Sequence, residues 1–271
     1  MKNVLRYDEL FTRNIGILSL QELHTLRDST VALAGVGGVG GVQLITLART
    51  GICHFKIADP ECYQVSDINR QYGATISTIG LKKAEVMRDI VYTINPGASV
   101  ETFLSGITEE NADQFVCNAD IVIDSIEYFA LEKKVVLAQK ARERNLFLLS
   151  SPTWGYGASL IVFSPDGIAF EKFFGIDTEE DFITKGKRYA DRLFPLKPDY
   201  LDPYPYGDDM LEGKRPASIL CLGTLLSAAL VTKEVLSILL HREEPITAPR
   251  IIQIDLFRRS FDTIDLSGKV Y

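Results

Sequence analysis

Hydrophobic and polar positions along the chain follow two rhythms, short apolar runs and stretches with an apolar residue every three or four places. The run Val31-Ala-Leu-Ala34 ends in Gly35-Val-Gly37-Gly38-Val-Gly40-Gly41 and passes into Val42-Gln-Leu-Ile45-Thr-Leu-Ala48. That pattern predicts a strand, a tight turn and a helix. Before it, Ser19-Leu-Gln-Glu22 forms a capping box for a short helix that carries Leu20, Leu23 and Leu26 and closes at Asp28-Ser29. After it, the helix ends at Thr50-Gly51. Strand patterns follow at 54–59, 99–104, 120–124 and 146–150, separated by helical patterns at 79–91, after Thr108 as a cap, and at 128–144. Strands alternating with helices at this spacing predict a mainly parallel sheet covered on both faces.

Beyond residue 150 the order changes. Ala158-Ser-Leu-Ile-Val-Phe163, a Ser-Pro-Asp-Gly turn and Ile168-Ala-Phe-Glu-Lys172 read as a hairpin, an apolar helix runs from Ala217 to Leu240, and 250–257 and 260–266 read as late strands. Between Gly175 and Pro216 the pattern dissolves into charged and Pro/Tyr-rich sequence, including Lys185-Gly-Lys-Arg188 and Asp202-Pro-Tyr-Pro-Tyr-Gly-Asp-Asp209. This is too long for an idle loop and reads as a lid, crossover or partner-binding insertion. Residues 1–271 are therefore expected to form one α/β domain. Its sheet is Rossmann-like and mainly parallel, with helices on both faces, a late antiparallel extension, and 175–216 inserted within it.

Charge narrows the range of partners. Lys and Arg number 29 against 36 Asp and Glu, and the net charge of −7 argues against an extended nucleic-acid footprint or binding to a membrane surface. The apolar stretch Ala217 to Val231 is interrupted by Ser218, Thr224 and Ser227 and followed by Lys233 and Glu234, so it reads as a buried helix rather than a membrane span. The first residues, Met1 to Glu9, are too charged for a signal peptide. Cys53, Cys62, Cys117 and Cys221 show no C-x-x-C pair, and His24, His54 and His241 are scattered. No zinc ligand set is visible, and reduced thiols in a cytoplasmic protein are expected.

The candidate chemistry starts at the glycine turn. Gly35 permits a sharp turn, Gly37 and Gly38 let backbone N–H groups approach a phosphate, and Gly40 lets the helix pack on its strand. Asp59 lies 24 positions beyond Gly35, a spacing that suits a carboxylate accepting from ribose hydroxyls, although an Asp before Pro60 also suits a plain turn. The long connection that follows holds Asn69, Arg70 and Gln71. Lys82 and Lys83 then sit in the first turn of a helix, where the dipole disfavours cations unless an anion is near; two solvated lysines are the plain alternative. Arg13, taken alone, reads as a solvated side chain.

Together, Arg13, the glycine turn, Asp59, Asn69-Arg70-Gln71 and Gly80-x-x-Lys83 resemble the ThiF/MoeB/HesA family, relatives of the ubiquitin-activating enzymes. The resemblance extends through Val122-Ile-Asp124, the 157–163 strand, the late apolar helix and Ile252-Gln-Ile-Asp255. It implies an ATP- and Mg2+-dependent adenylyltransferase that activates a carboxylate of a protein tail, peptide or small molecule and releases pyrophosphate. Asp59 would hold the ribose, Arg70 and Lys83 would neutralise the triphosphate, and Asn69 and Gln71 would line it. Arg13 would reach the phosphates of the neighbouring subunit in a homodimer. Positive charge that strengthens as an oxyanion develops is what such chemistry requires.

The chain also departs from that pattern. Asp67 stands where the family commonly has Asn, and it adds negative charge beside the phosphates unless Asn69 or the metal compensates. Glu127 stands for the metal-binding Asp and Tyr128 for the Asn after it; Glu127 can still ligate magnesium, with its carboxylate moved outward by a methylene. Residues 166–216 hold no cysteine for a thioester, and the nearest, Cys221, lies in the apolar helix pattern, which reads as a buried structural thiol. The order Val65-Ser-Asp-Ile-Asn69-Arg-Gln71 and then Gly80 to Met87 also looks like the tRNA threonylcarbamoyl-adenosine dehydratases, which activate a carboxylate with ATP too. Two other readings stand beside these. One is a non-catalytic nucleotide-binding dimer module in which Asp67, Glu127 and Tyr128 record lost chemistry. The other is an NAD-dependent oxidoreductase, which rests on the glycine turn alone.

Overall fold

The structure is a computed structural model that describes residues 6–176, 179–198, 200 and 218–269. The capping box at Ser19 opens a helix as expected: Ser19 Oγ accepts from Glu22 N–H at 3.2 Å, and the Glu22 carboxylate accepts from Ser19 N–H at 2.8 Å. This helix, α2 (Leu20–Asp28), follows a single turn, α1 (Tyr7–Leu10), and leads into β1 (Thr30–Ala34). The glycine turn and α3 (Gly38–Thr50) come next, then β2 (His54–Ala58), α4 (Lys83–Ile94) and β3 (Ser99–Phe103). A second run gives α5 (Ala112–Val116), β4 (Ile121–Asp124), α6 (Leu131–Glu143) and β5 (Leu148–Ser150). The chain continues through β6 (Thr153–Trp154), β7 (Gly157–Phe163), α7 (Phe170–Phe174), α8 (Phe182–Leu193), α9 (Cys221–Leu239), β8 (Arg250–Asp255) and β9 (Ser260–Asp265).

The strands form one sheet in the order β3-β2-β1-β4-β5-β7-β8-β9, with β6 on β7. Pairing is parallel from β3 to β5 and antiparallel from β5 to β9. Alternation along β1 sorts the two faces. Val31 and Leu33 join a core with Leu44, Leu47, Met87, Val91, Val231 and Val235, contributed by α3, α4 and α9. Ala32 and Ala34 face the other way, into a core with Phe115, Leu137, Phe163, Phe173 and Tyr189 under α5 to α8. The expected α/β architecture with a late antiparallel extension is therefore the observed one.

Some local expectations are corrected. Residues 168–172 do not return as the second strand of a hairpin; Phe170 to Phe174 form α7, because Phe170, Phe173 and Phe174 recur at helical spacing and bury on the second core. Each buried phenyl stabilises by roughly 1.5–3 kcal/mol, and that packing, rather than propensity, supports so short a helix. The helix expected from Tyr128 starts at Leu131, after a turn in which Ala130 N–H reaches Glu127 O. Thr108 does not cap α5; it closes a turn with Asn111, one residue before the helix. In the 175–216 stretch, α8 is capped by Asp181, whose carboxylate accepts from the N–H groups of Ile183 and Thr184, and its Tyr189 and Leu193 lie in the second core. The Asp202–Asp209 run lies outside the described residues. The apolar helix is α9, long and apolar enough by composition to cross a membrane, yet half buried against α3 and β7 with Ser227, Glu234 and Ser237 among its buried positions. Its first residue is Cys221, half-buried at the helix start rather than enclosed within it.

The approach of α3 to β1 depends on a missing Cβ. A methyl group at Gly40 would overlap the backbone oxygen of Gly35, and no rotamer can relieve a clash with backbone. Gly40→Ala is expected to cost about 3 kcal/mol or more in urea unfolding, whereas Gly268→Ala, which meets nothing within 4 Å, is expected to cost under about 0.5 kcal/mol.

Candidate functional site

Register brings the carboxyl ends of three strands level. Ala34 pairs with Ala58 on one side and Asp124 on the other, so Gly35, Asp59 and Ser125 leave the sheet together. Gly35 N–H continues the ladder to Ala58 O at 2.7 Å, and Ser125 N–H continues it to Ala34 O at 2.8 Å. Between β1 and β4 the connections run to opposite faces, which is where open α/β sheets leave a crevice for ligands. Gly35 has φ of +87° and abuts the Ser125 carbonyl so closely that a Cβ there would overlap it. The turn is thus built for glycine at 35 and 40, as the spacing predicts.

Gly37 is the N-cap of α3 and offers no side chain to its free N–H groups. Those groups and the helix dipole make an anion site. Two side chains border it. A Cβ on Gly37 would lie 3.4 Å from Gln71 Oε1, and one on Gly38 would lie 3.4 Å from Arg70 Cγ. Glycine at 37 and 38 thus leaves Gln71 and Arg70 room beside the turn.

Asp59 follows β2 and is buried. Its Oδ2 accepts from Val36 N–H in the glycine turn and its Oδ1 from Glu61 N–H, both at 2.9 Å. Burial still pushes its carboxyl above the usual range, since it outweighs those two donors and the Lys83 charge. Each oxygen keeps capacity for a further donor such as a hydroxyl.

Asp67 is the residue whose setting differs most from expectation. It ends a 3-10 turn (Val65–Asp67) and is buried, accepting from Gln64 N–H at 2.9 Å and from Gln71 Nε2 at 2.6 Å. Arg70 Nη2 lies 3.4 Å from Oδ1 and Lys83 Nζ 3.8 Å from Oδ2. Its charge is therefore balanced by Arg70 and Lys83 and bound by Gln71, rather than by Asn69. Asn69 instead donates to Ile219 O at 3.1 Å, just before α9, and accepts from Arg70 Nη1 at 3.0 Å.

Lys83 opens α4 and is 4% exposed. Its Nζ is 2.6 Å from Glu61 Oε2 and 5.9 Å from the Tyr63 ring centre. Lys82 Nζ reaches Pro60 O at 3.0 Å. The anions that offset two cations at a helix start are thus supplied by the 59–61 turn and Asp67. Sequence reasoning did not single out Glu61; an acid two places after Asp59, ahead of a buried lysine, was the available signal.

Glu127 lies in the loop after β4 with its side chain exposed, and its carboxylate makes no hydrogen bond or ion pair among the described residues. Burial first, and the Glu61 charge next, push its carboxyl above the usual range, against the pull of Lys83 and Arg70. Asp124 beneath it is committed elsewhere, with both oxygens 3.0 Å from Lys134 Nζ. Arg13 is not brought to this group. It sits in the exposed turn Thr12–Asn14, and the next residue, Asn14, bonds to Thr50 O at the far end of α3, about 18 Å along the helix from the glycine turn.

The arrangement is a helix N-terminus, an arginine and a buried lysine converging where a polyanion would lie, flanked by Asp59, Glu61 and Glu127. Comparison with known proteins identifies the family. A family model described as the ThiF family matches residues 11–270. The chain is 34% identical over 142 residues to the tRNA threonylcarbamoyladenosine dehydratase of Bacillus subtilis (strain 168), covering 52% of this chain and 55% of that protein. It is 27% identical over 150 residues to the probable molybdopterin-synthase adenylyltransferase of Porphyra purpurea, covering 55% of this chain and 39% of that one. The aligned part thus spans about half the length of these relatives or less. The crystal structure of the Escherichia coli tRNA N6-threonylcarbamoyladenosine dehydratase in complex with AMP superposes with a TM-score of 0.65 at 20% identity, covering 87% of this chain and 96% of that chain, a likeness of fold.

A carboxylate whose proton affinity is raised by folding weakens the ligand-free fold when ionised, here only modestly because the side chain is exposed and solvent screens it. Glu127→Gln is accordingly expected to stabilise the ligand-free protein at pH 7. The gain should shrink as pH falls through the raised value of Glu127 and vanish below the unfolded value of about 4.3. Urea unfolding at pH 7 and pH 4 reads the difference, and equal stabilities of the two proteins at pH 7 would contradict a raised proton affinity at Glu127.

Proposed function

The chain belongs to the ThiF family, and on that premise we propose that it is an ATP-dependent adenylyltransferase activating a carboxylate-bearing peptide, protein tail or small molecule. A carboxylate oxygen attacks the α-phosphorus of ATP, the bond to the bridging oxygen of the β-phosphate breaks, and an acyl-adenylate and pyrophosphate result. The observation that carries this reading is the approach of Arg70 and Gln71 to the glycine turn at the start of α3, with Lys83 joined to both through Asp67. NAD chemistry makes no use of that charge.

In this reading Gly35, Gly37, Gly38 and Gly40 shape the phosphate turn, Asp59 takes the ribose, and Asn69 and Gln71 donate hydrogen bonds. Arg70 and Lys83 stabilise the charge that gathers on the leaving pyrophosphate. Lys83 already holds a carboxylate, Glu61, at 2.6 Å, so an incoming phosphate exchanges one anion for another rather than recruiting a free lysine. Mg2+ fits beside Glu127. Magnesium is commonly held by one or two carboxylates with phosphate oxygens, and the mutual repulsion of Glu127 and Glu61 is what a dication relieves. When bound it supplies further charge neutralisation of the phosphates.

The whole chain acts as one unit that includes 175–216, in the cytoplasm, where ATP is present and its four free cysteines stay reduced. A homodimer is part of the proposal. Leu222 and Leu225 are exposed on α9, and the Asn69 bond to Ile219 brings the exposed Ile68 beside them, an apolar face suited to a second copy. Similarity to the Bacillus dehydratase favours one variant reading, with the carboxylate on a modified tRNA base; RNA co-purifying at low salt would support it, against the net charge of −7.

Calorimetry should show ATP bound more tightly than NAD, with Arg70→Ala or Lys83→Ala weakening ATP by about 1.5–3 kcal/mol, as for a charge-assisted contact. Carboxylate-dependent exchange of pyrophosphate into ATP across a panel of acids then identifies the substrate. Tighter binding of NAD would sink the reading, and ATP binding without exchange for any acid would favour a non-catalytic module.

Arg13 is proposed to serve the partner's site, being remote from its own. A purified mixed dimer of Arg13→Ala and Arg70→Ala chains then has one intact and one doubly defective site, and should recover about half of the wild-type exchange while each parent stays inactive. No recovery in mixed dimers, or a monomer by light scattering at micromolar concentration, counts against Arg13 acting across an interface.

A further inference from the structure

Glu127 has no partner for its carboxylate among the described residues, so its position is set by its backbone. That backbone is fastened on both sides. Before it, Ser125 Oγ donates to Gln43 Oε1 on α3 at 2.7 Å, and Gln43 Nε2 in turn donates to Ser227 Oγ on α9 at 2.9 Å, all within the fold. Ile126 N–H reaches Asp124 Oδ1 at 3.1 Å. After it, the Tyr128 hydroxyl donates to Gly186 O of α8. The Tyr128 ring lies 5.3 Å from the Tyr189 ring of the same helix and edge-on to Phe129 at 5.1 Å.

The helix that receives this bond is itself firmly seated. Tyr189 is fully buried, 4.3 Å from the Phe174 ring, with Lys134 Nζ 5.9 Å from its centre, and Lys134 holds Asp124 at the end of β4. Asp181 caps the helix and Leu193 buries at its other end. From α8 the path to Glu127 is therefore one hydrogen bond, one aromatic contact and one peptide unit. An asparagine at 128, the residue that the family resemblance places there, is too short to span to α8 in this way. Tyr128 and the 175–216 stretch occur together in this chain, and the structure joins Tyr128 to α8, the described helix of that stretch.

We propose that Tyr128 is a positioning residue, which docks on α8 and thereby sets the Glu127 carboxylate toward a divalent cation on bound ATP, so that the insertion is a structural part of the nucleotide site. This rests on the adenylation reading and on Glu127 as the metal's carboxylate. The role is assigned to Tyr128 because it makes both a hydrogen bond and a ring contact to α8. Ser125 fixes the same loop to α3 independently.

The test uses the full-length protein with ATP as the probe, titrated in Mg2+ and in EDTA, together with hydrogen exchange of the 125–131 segment without ligand. Wild type should bind ATP more tightly with Mg2+ than in EDTA. Glu127→Gln should lose that gain. Tyr128→Phe, which keeps the ring and removes the donor, should reduce the gain three- to tenfold, leave the affinity in EDTA unchanged, and speed exchange at 126–130 in the ligand-free protein. A Ser125→Ala variant, which cuts the other fastening, should reproduce part of the loss while leaving the Tyr128 contact in place. An undiminished gain in Tyr128→Phe, with Glu127→Gln losing it, would overturn the positioning role alone. A full gain in Glu127→Gln would overturn the metal assignment and this proposal while leaving ATP binding intact, and no ATP binding by wild type would overturn the adenylation reading with it.

Discussion

The contact between the start of α3 and the end of β1 is a meeting of backbone with backbone, and much of the molecule is arranged around it. Because Gly40 carries no Cβ, the helix lies directly on the carbonyl of Gly35, and because Gly35 carries none, the same turn lies directly on Ser125. Three chain segments from different parts of the sequence are so drawn to one point at the centre of the sheet. The free N–H groups of α3 are aimed there, Asp59 fastens to the turn through Val36, and the loop bearing Glu127 begins there. Widening any of these contacts by a methyl group would move all the others.

Around that point the charges come already paired. Lys83 and Asp67 are both buried, and a lone charge at either place would carry a desolvation cost of several kcal/mol. Glu61, Gln71 and Arg70 remove most of it. In the proposed adenylation reading, the ligand-free protein is thus held in the geometry a polyanion needs, and binding exchanges one set of ionic partners for another with little rearrangement. Such preorganisation is a general source of both affinity and electrostatic stabilisation of a transition state.

Much of this was readable in the sequence, and the exceptions have physical causes. Glycine spacing, Asp59 and Arg70 were legible because close backbone approach and strand-end placement restrict residue type at each position. The hairpin expected after Phe163 became α7 because three phenylalanines at helical spacing found a core that local sequence does not reveal. Glu61 went unremarked because an acidic residue after Pro60 is compatible with a plain surface turn until the buried lysine opposite is seen. Asp67 looked like a liability in sequence because its near neighbours Arg70 and Gln71 were assigned to the phosphates and its third partner, Lys83, sits at the start of a separate helix. Tyr128 differed visibly from the family pattern, but its partner on α8 is 58 residues away and no local rule connects them.

The placement of α9 has a consequence for synthesis. Its Val231 and Val235 complete the hydrophobic face of α3, and Ser227 completes the hydrogen-bond chain that ends on Ser125. Ser227 therefore leaves the ribosome 184 residues after Gln43, the α3 residue it bonds. A nascent chain that has emerged only through β5 carries every glycine of the turn yet lacks the wall behind them, so the site assembles only after α9 has followed. Its ordering contacts are long-range by construction, and the growing chain cannot complete the site early.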